Sequence, residues 1–99
     1  MTLVERVVPA DHPALAGHFP GRPVVPAALL LDEIVRAAGK LPGAPRTVGM
    51  DHVKFLRPLA PGEPFSIELA PARGNEIRFS CAAGGATVMR GVLRLAGDR

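Results

Sequence analysis

The stretch GHFPGRPVVPAALLLD spans residues 17–32 and joins a loop rich in proline and glycine to the start of an apolar helix. Pro26 suits the first turn of that helix, because the N–H that proline lacks would have no intrahelical partner there. The helix is predicted to run over residues 26–38, where a following glycine ends it. A connection as long as residues 9–26 is usually functional or disordered. The stretch therefore predicts a shaped loop followed by a helix.

The rest of the chain alternates between apolar and polar residues with a period of two, which is typical of β-strands. The predicted strands are residues 3–8, 47–56, 65–69, 77–81 and 87–95. In the last of them, Val88 is predicted to point away from the face that carries Met89. Short connections that contain glycine, such as Gly84-Gly85, favour antiparallel hairpins. One strand, one helix and four strands predict an α+β fold in which the helix packs on the apolar face of the sheet.

Length and composition limit the classes of protein to which this chain belongs. Its 99 residues predict one domain, residues 1–99. Apolar residues make up 47% of the chain, which is more than a single small core easily hides and favours self-association. The formal net charge of +3 is spread along the sequence without a basic block, and there is no Trp or Tyr. Nucleic-acid binding is therefore not expected, whereas an acidic carrier protein would suit the positive charge.

Cysteine content and hydropathy predict a cytoplasmic setting. Cys81 is the single cysteine, so an intrachain disulfide is excluded, and we expect it to be an inert apolar residue of a strand. Glu5 and Arg6 interrupt the first apolar stretch, which argues against a signal-peptide core. No apolar run approaches the roughly 20 residues of a membrane span.

Pattern alone leaves two interpretations of the loop and helix start open. His18 is either a solvated loop residue or a general base, which needs a ring held rigidly near its substrate proton. Phe19 and Gly21 lie in the loop segment that restricts its backbone. The first amides of the helix, at Ala27 and Ala28, have no intrahelical acceptor. They bind water, or they polarise a thioester carbonyl.

The helix acids are equally ambiguous. Asp32 and Glu33 point about 100° apart, so both are not expected to serve one site. Arg36 follows them by four and three residues, which predicts a polar stripe of paired side chains along the helix. The alternative is that one of the two carboxylates belongs to an active site.

Two segments of this chain resemble the hotdog-fold 3-hydroxyacyl-[acyl-carrier-protein] dehydratases. They are AGHFPGRPVVP at residues 16–26 and GMDHVKFLRP at residues 49–58. The resemblance implies a single hotdog fold, in which an antiparallel β-sheet wraps around one long central α-helix. It also implies a homodimer whose sheets join edge to edge, with the active site at the interface. The implied reaction converts a 3-hydroxyacyl thioester of acyl carrier protein or CoA to the trans-2-enoyl thioester, as in fatty acid or polyketide biosynthesis.

The resemblance assigns roles to individual residues. His18 would remove the C2 proton, and Asp32 of the partner protomer would protonate the departing hydroxyl, with Glu33 as the fallback. The implied substrate-binding residues are Phe19, Gly21, Pro26, Ala27 and Ala28. The chain departs from the family pattern at two of these positions: the family usually has glycine where this chain has Ala27, and its main pattern has glutamate at Asp32.

No cofactor is expected, because the phosphopantetheine arrives with the substrate. His12, His18 and His52 match no zinc-ligand spacing, so no metal site is predicted, and we interpret His12 as a turn residue and His52 as a strand-surface residue. Two other functions stay open. One is a non-catalytic acyl-binding or assembly subunit with the hotdog fold. The other is an acyl thioesterase, although hotdog thioesterases generally lack the His-Phe-Pro-Gly loop.

Overall fold

The computed structural model describes residues 1–13 and 24–97. These residues form one antiparallel sheet of five strands and one α-helix. The elements in chain order are β1 (Thr2–Arg6), α1 (Ala27–Gly39), β2 (Thr47–Phe55), β3 (Phe65–Leu69), β4 (Glu76–Ala83) and β5 (Ala86–Leu95). The strands lie in the order β1-β3-β4-β5-β2, so β1 and β2 are the edges. The α+β prediction is confirmed, whereas the extent of the domain over residues 1–99 stays a prediction.

The helix packs on the sheet through one apolar stripe. Leu30, Ile34, Ala37 and Ala38 are buried, and their spacing of four, seven and eight residues places them on one face of α1. Burial of a large aliphatic side chain contributes about 1.5–3 kcal/mol, so this stripe determines which face of the helix is turned toward the sheet. Lys40 ends the helix with its backbone amide bonded to the carbonyl of Ala37 at 3.2 Å.

The inner face of the sheet forms the rest of the core. Alternate residues of β3, β4 and β5 are buried, namely Phe65, Ile67, Leu69, Ile77, Phe79, Cys81, Met89 and Leu93. The predicted position of Val88 on the opposite face from Met89 is wrong, because both side chains are buried. Cys81 pairs with Met89, and Ala82 pairs with Thr87, so Val88 is the extra residue of a β-bulge. A bulge breaks strict alternation and turns two consecutive side chains toward the core.

A second irregularity shapes the edge strand β2. Between Asp51 and Lys54, the two residues His52 and Val53 oppose one residue of β5, Gly91. His52 has a φ of 56°, in the left-handed region that non-glycine residues seldom adopt. The bulge bends the strand locally and increases its twist, just before β2 reaches the loop that faces the start of α1.

Candidate active site

The predicted site residues divide between the described and undescribed parts of the chain. His18, Phe19 and Gly21 lie outside the described residues. The remaining candidates lie at or in α1, and they are Pro26, Ala27, Ala28, Asp32 and Glu33. The catalytic and binding roles of all of them stay predictions.

The start of α1 presents two backbone donors. Pro26 precedes the helix in an extended conformation, with φ −60° and ψ 146°, so the helix begins at Ala27, one residue later than predicted. The amides of Leu29 and Leu30 both donate to the Pro26 carbonyl, at 3.1 and 3.3 Å. The amides of Ala27 and Ala28 precede these bonds and donate to no backbone acceptor within the described residues. Amide donors of this kind at the start of a helix are able to stabilise a negative charge placed beside them.

The segment before the helix is fixed to the loop that follows β2. The amide of Val25 donates to the carbonyl of Leu59 at 2.8 Å. Both side chains belong to the buried core. A hydrogen bond between two buried residues therefore sets the position from which Pro26 and the helix begin.

A groove opens between these two segments. Its volume is about 400 Å³. One wall is the start of α1 and the other is the end of β2, and the lining residues are Val24, Val25, Pro26, Ala27, Phe55, Leu56, Arg57 and Pro58. Most of these side chains are apolar, which suits an acyl or pantetheine chain. The described lining contains no carboxylate, so neither Asp32 nor Glu33 belongs to this groove.

The two helix acids face different partners. The Asp32 carboxylate lies 2.9 Å from the guanidinium of Arg36, on the exposed side of α1. This pair confirms part of the predicted polar stripe. Glu33 was expected to reach Arg36 as well, but it lies 3.5 Å from the guanidinium of Arg6 in β1. Glu33 is the less exposed of the two, and its contact crosses from helix to sheet, so Asp32 is the acid that is presented to the surroundings.

Arg57 forms a cluster of polar contacts that the sequence did not single out. Its guanidinium donates to the carbonyls of Pro58 and Ala83, at 3.0 and 2.9 Å, and to the Glu63 carboxylate at 3.0 Å. Glu63 also accepts a bond from the amide of Ala60 at 3.2 Å. The hydrogen bond from Arg57 and, to a smaller extent, the hydrogen bond from the backbone amide of Ala60 lower the pKa of Glu63 below its usual value. The sequence feature that could have predicted this pair is an arginine and a glutamate on either side of the Pro61-Gly62 turn.

The edge strand β2 and the residue after it expose a row of apolar side chains. Val48, Val53, Phe55 and Leu56 are 50, 39, 42 and 49% exposed. An edge strand also presents backbone groups that have no partner within its own sheet, so it is a template for pairing with another chain. At the other edge of the sheet, β1 exposes Leu3.

The remaining candidate groups have structural positions. The amide of His12 donates to the carbonyl of Pro9 at 3.1 Å, in a turn, and His52 lies exposed on β2, as expected. Residues 1–13 and 24–97 contain no cluster of three side chains suited to a metal ion. Cys81 is fully buried, and desolvation raises the pKa of its thiol to about 11. Within the same residues, no helix is both long and apolar enough to cross a membrane.

Comparisons with known proteins place these features in a family. A family model described as ApeI-like, ApeI dehydratase, matches residues 2–92. The 3-hydroxyacyl-[acyl-carrier-protein] dehydratase FabZ of Acidovorax is 35% identical over 89 residues, which cover 77% of this chain and 61% of that protein. FabZ of Agrobacterium fabrum is 30% identical over 86 residues, which cover 77% of this chain and 56% of that protein. The chain thus spans about 60% of the length of these curated relatives.

The solved structures agree with the sequence comparisons on the fold. The dehydratase heterocomplex ApeI:P from Xenorhabdus doucetiae superposes with a TM-score of 0.82 at 23% identity, covering 95% of this chain and 85% of that one. At this identity the likeness concerns the fold alone, and it confirms the predicted hotdog. The family model covers nearly the whole chain, and the chain therefore belongs to the ApeI-like dehydratase family.

Proposed function

We propose that this chain dehydrates a 3-hydroxyacyl thioester, carried by acyl carrier protein or CoA, to the trans-2-enoyl thioester. Membership of the ApeI-like dehydratase family supports the reaction class. The structural observation that carries the proposal is the pair of amides at Ala27 and Ala28, which begin a helix beside a mainly apolar groove. A thioester carbonyl at this helix start would receive two donors, while the acyl chain lies against apolar side chains.

The chemistry begins at the carbon next to the thioester. His18 takes a proton from C2, and the electron pair moves toward the thioester carbonyl. The amides of Ala27 and Ala28 hold the oxygen as its negative charge grows, a role for which a single fixed donor contributes about 10²–10³-fold in rate. The electrons then form the C2–C3 double bond, and the C3–O bond breaks.

The departing hydroxyl needs a proton donor. Asp32 of the partner protomer supplies that proton, so the oxygen leaves as water. After this step His18 carries the proton from C2 and Asp32 has lost its own. Transfer of a proton from His18 to Asp32 then returns His18 to the neutral form and Asp32 to the protonated form. This role goes to the partner's Asp32 because the described lining of the groove contains no carboxylate of its own protomer.

The proposed dimer forms through the β2 edges. Val48 and Val53 expose apolar side chains along this strand, and pairing two such strands would satisfy their free backbone groups. It would also extend the five strands of each protomer into one continuous sheet. Since Phe55 and Leu56 both line the groove and follow the same edge, a partner across β2 is adjacent to the site.

The reaction requires no cofactor of the protein's own, because the substrate gains and loses no electrons overall. The phosphopantetheine arm belongs to the substrate. The cytoplasmic location expected from the sequence, and a place in fatty acid, polyketide or related lipid metabolism, are parts of the same proposal.

Mass spectrometry of the acyl group tests the reaction directly. Purified protein is incubated with 3-hydroxyacyl thioesters of carrier protein and of CoA, and loss of one water from the acyl group is measured. We expect turnover in the wild type and its loss in both His18→Ala and Asp32→Asn. A thioesterase would instead release free thiol, and a non-catalytic subunit would give neither product.

Mixed dimers test the composite site. A dimer of one His18→Ala chain and one Asp32→Asn chain has one intact site if the site spans the interface, and none if it lies within a protomer. Equal mixing and random exchange therefore restore about a quarter of wild-type activity in the composite arrangement. No recovery after verified exchange would contradict it.

The identity of the second protomer is a separate question. The similar assembly from Xenorhabdus doucetiae is a dehydratase heterocomplex, so the alternative for this chain is pairing with a different hotdog chain. Light scattering of the purified chain distinguishes them: a homodimer has twice the mass of the chain, whereas a monomer that dimerises only with a partner supports the alternative.

A further inference from the structure

We propose that Arg57 is a positioning residue for the start of α1. Its hydrogen bonds hold the loop over residues 57–63, and through that loop they set where the amides of Ala27 and Ala28 lie. This inference rests on the proposed function for its catalytic consequence, but its structural part can be tested without any turnover.

The first step is that the hydrogen bonds of Arg57 are made within its own chain. One terminal nitrogen of its guanidinium donates to the Pro58 carbonyl, and the other donates to both Glu63 and the Ala83 carbonyl at the end of β4. The carboxylate of Glu63 neutralises its charge at 3.0 Å. Arg57 therefore lines the groove as part of the wall, with both terminal nitrogens already bonded within the protein.

The second step links this cluster to the helix. Leu59 lies inside the loop that Arg57 and Glu63 close, and its carbonyl accepts the hydrogen bond from Val25. Only Pro26 separates Val25 from the first helical amide. A movement of the loop would therefore shift Val25 through its hydrogen bond to Leu59. Because only Pro26 lies between, the amides at the start of α1 would shift with it.

The third step concerns how much accuracy the chemistry needs. An oxyanion donor stabilises charge only when it lies about 2.7–3.1 Å from the oxygen in the transition state. Since a misplacement of about 1 Å costs on the order of 10²-fold in rate, a partial shift from loss of the Arg57 bonds should cost about tenfold in kcat. KM should change little, because an interaction made only in the transition state does not contribute to ground-state binding.

The experiment compares Arg57→Gln with the matched control Arg94→Gln. Arg94 also binds a carboxylate, that of Asp51 at 2.8 Å, but on the outer face of the sheet and away from the groove lining. We expect Arg57→Gln to lower kcat about tenfold with nearly unchanged KM, and Arg94→Gln to leave both parameters as in the wild type. Light scattering checks that both variants keep the oligomeric state of the wild type.

An NMR measurement separates this inference from the proposed function. Amide ¹H–¹⁵N shifts of Ala27 and Ala28 should move in Arg57→Gln and stay in place in Arg94→Gln. Glu63→Gln should move the same two signals in the same direction, and the double variant should add little, because both changes open the same loop. This readout stands even if the wild type turns over no hydroxyacyl thioester, an outcome that would overturn the proposed function alone.

Three outcomes would overturn the positioning role. Unmoved Ala27 and Ala28 signals in a folded Arg57→Gln protein would show that the loop does not hold the helix start. An increase in KM with unchanged kcat would make Arg57 a substrate-binding residue. If Arg57→Gln does not fold, Arg57→Lys keeps the charge but loses the forked geometry, and wild-type kcat together with unmoved amides in that variant would equally contradict the inference.

Discussion

The Asp32 carboxylate lies 2.9 Å from the Arg36 guanidinium, one turn further along α1. The neighbouring acid, Glu33, reaches Arg6 in β1 instead. An exposed ion pair of the Asp32 type contributes only about 0.2–1 kcal/mol, so it opens at little cost, as the proposed role of Asp32 at a partner's groove requires. The Glu33 pair connects α1 to β1, so its loss removes a contact between two elements of the same protomer.

This difference predicts opposite consequences for the two acids. Asp32→Asn should lower kcat by about 10²–10⁴-fold, the usual contribution of a general acid, and leave stability nearly unchanged. Glu33→Gln should keep most of the activity and lower the free energy of unfolding by up to about 1 kcal/mol. Steady-state kinetics and urea unfolding measure the two effects. The assignment is reversed if Glu33→Gln is the variant that loses turnover.

If the proposed dimer forms through the apolar edge strand β2, a charged substitution on that strand should weaken it. Val48 is half exposed on β2, and Val48→Glu would place two like charges near each other across a β2–β2 interface. We expect the dimer Kd to rise at least about tenfold, which corresponds to about 1.4 kcal/mol. Leu3→Glu is the matched control, because Leu3 is 59% exposed on the opposite edge strand. Analytical ultracentrifugation compares them, and dissociation by Leu3→Glu alone would move the interface to β1.

The contact of Gly91 with Phe79 predicts a costly substitution. A Cβ on Gly91 would lie 2.8 Å from Cζ of Phe79 and 3.0 Å from Cγ2 of Val53. The Phe79 ring is buried, so Gly91→Ala should lower the free energy of unfolding by about 1–3 kcal/mol. Gly39→Ala is the control, because nothing lies within 4 Å of a Cβ there and alanine favours the helix. Urea unfolding of both variants checks this, and equal stability would contradict the close contact.

The Arg57–Glu63 pair predicts a pH dependence of stability. The folded-state pKa of Glu63 is lowered from 4.5, chiefly by the hydrogen bond from Arg57. Its stabilising contribution is therefore present above that usual value and is lost as the pH falls through the lowered one. The difference in unfolding free energy between wild type and Glu63→Gln should shrink when urea unfolding is repeated from pH 7 down to about pH 3. A difference that grows on acidification would contradict this sign.

Burial predicts that Cys81 is unreactive in the folded protein. With a thiol pKa of about 11, on the order of 0.1% of it is thiolate at pH 8, and the side chain has no access to solvent. A disulfide thiol reagent should label Cys81 at the rate of local or global opening, and rapidly once urea unfolds the chain. Fast labelling of the native protein would show that β4 opens far more readily than its packing indicates.

Local pattern predicted the elements of this fold well. The alternation in residues 65–69 depends on neighbours along the chain, so this strand was predicted from sequence, as was the packing of the one helix on the apolar face of the sheet. The inward position of Val88 could not be predicted, because a bulge is decided by pairing with β4 and not by the alternation within β5. The prediction that Glu33 pairs with Arg36 was wrong for a similar reason, because the packing of α1 on the sheet places Arg6 of β1 beside Glu33.

The sequence by itself determined the α+β class, the helix that begins beside Pro26, the family resemblance and the candidate roles of His18 and Asp32. The fold class and the helix start depend on backbone restriction and on patterns that are local to each segment, whereas the candidate roles of His18 and Asp32 are what the family resemblance implies. Only the tertiary structure decided that Val25 is bonded to Leu59, that Arg57 and Glu63 close the loop between them, and that Asp32 and Glu33 face different partners. The contacts of Val25 with Leu59 and of Glu33 with Arg6 join residues far apart in sequence, and Arg57 is held by Ala83 at the end of another strand, so these distances follow from how the helix and the strands pack together.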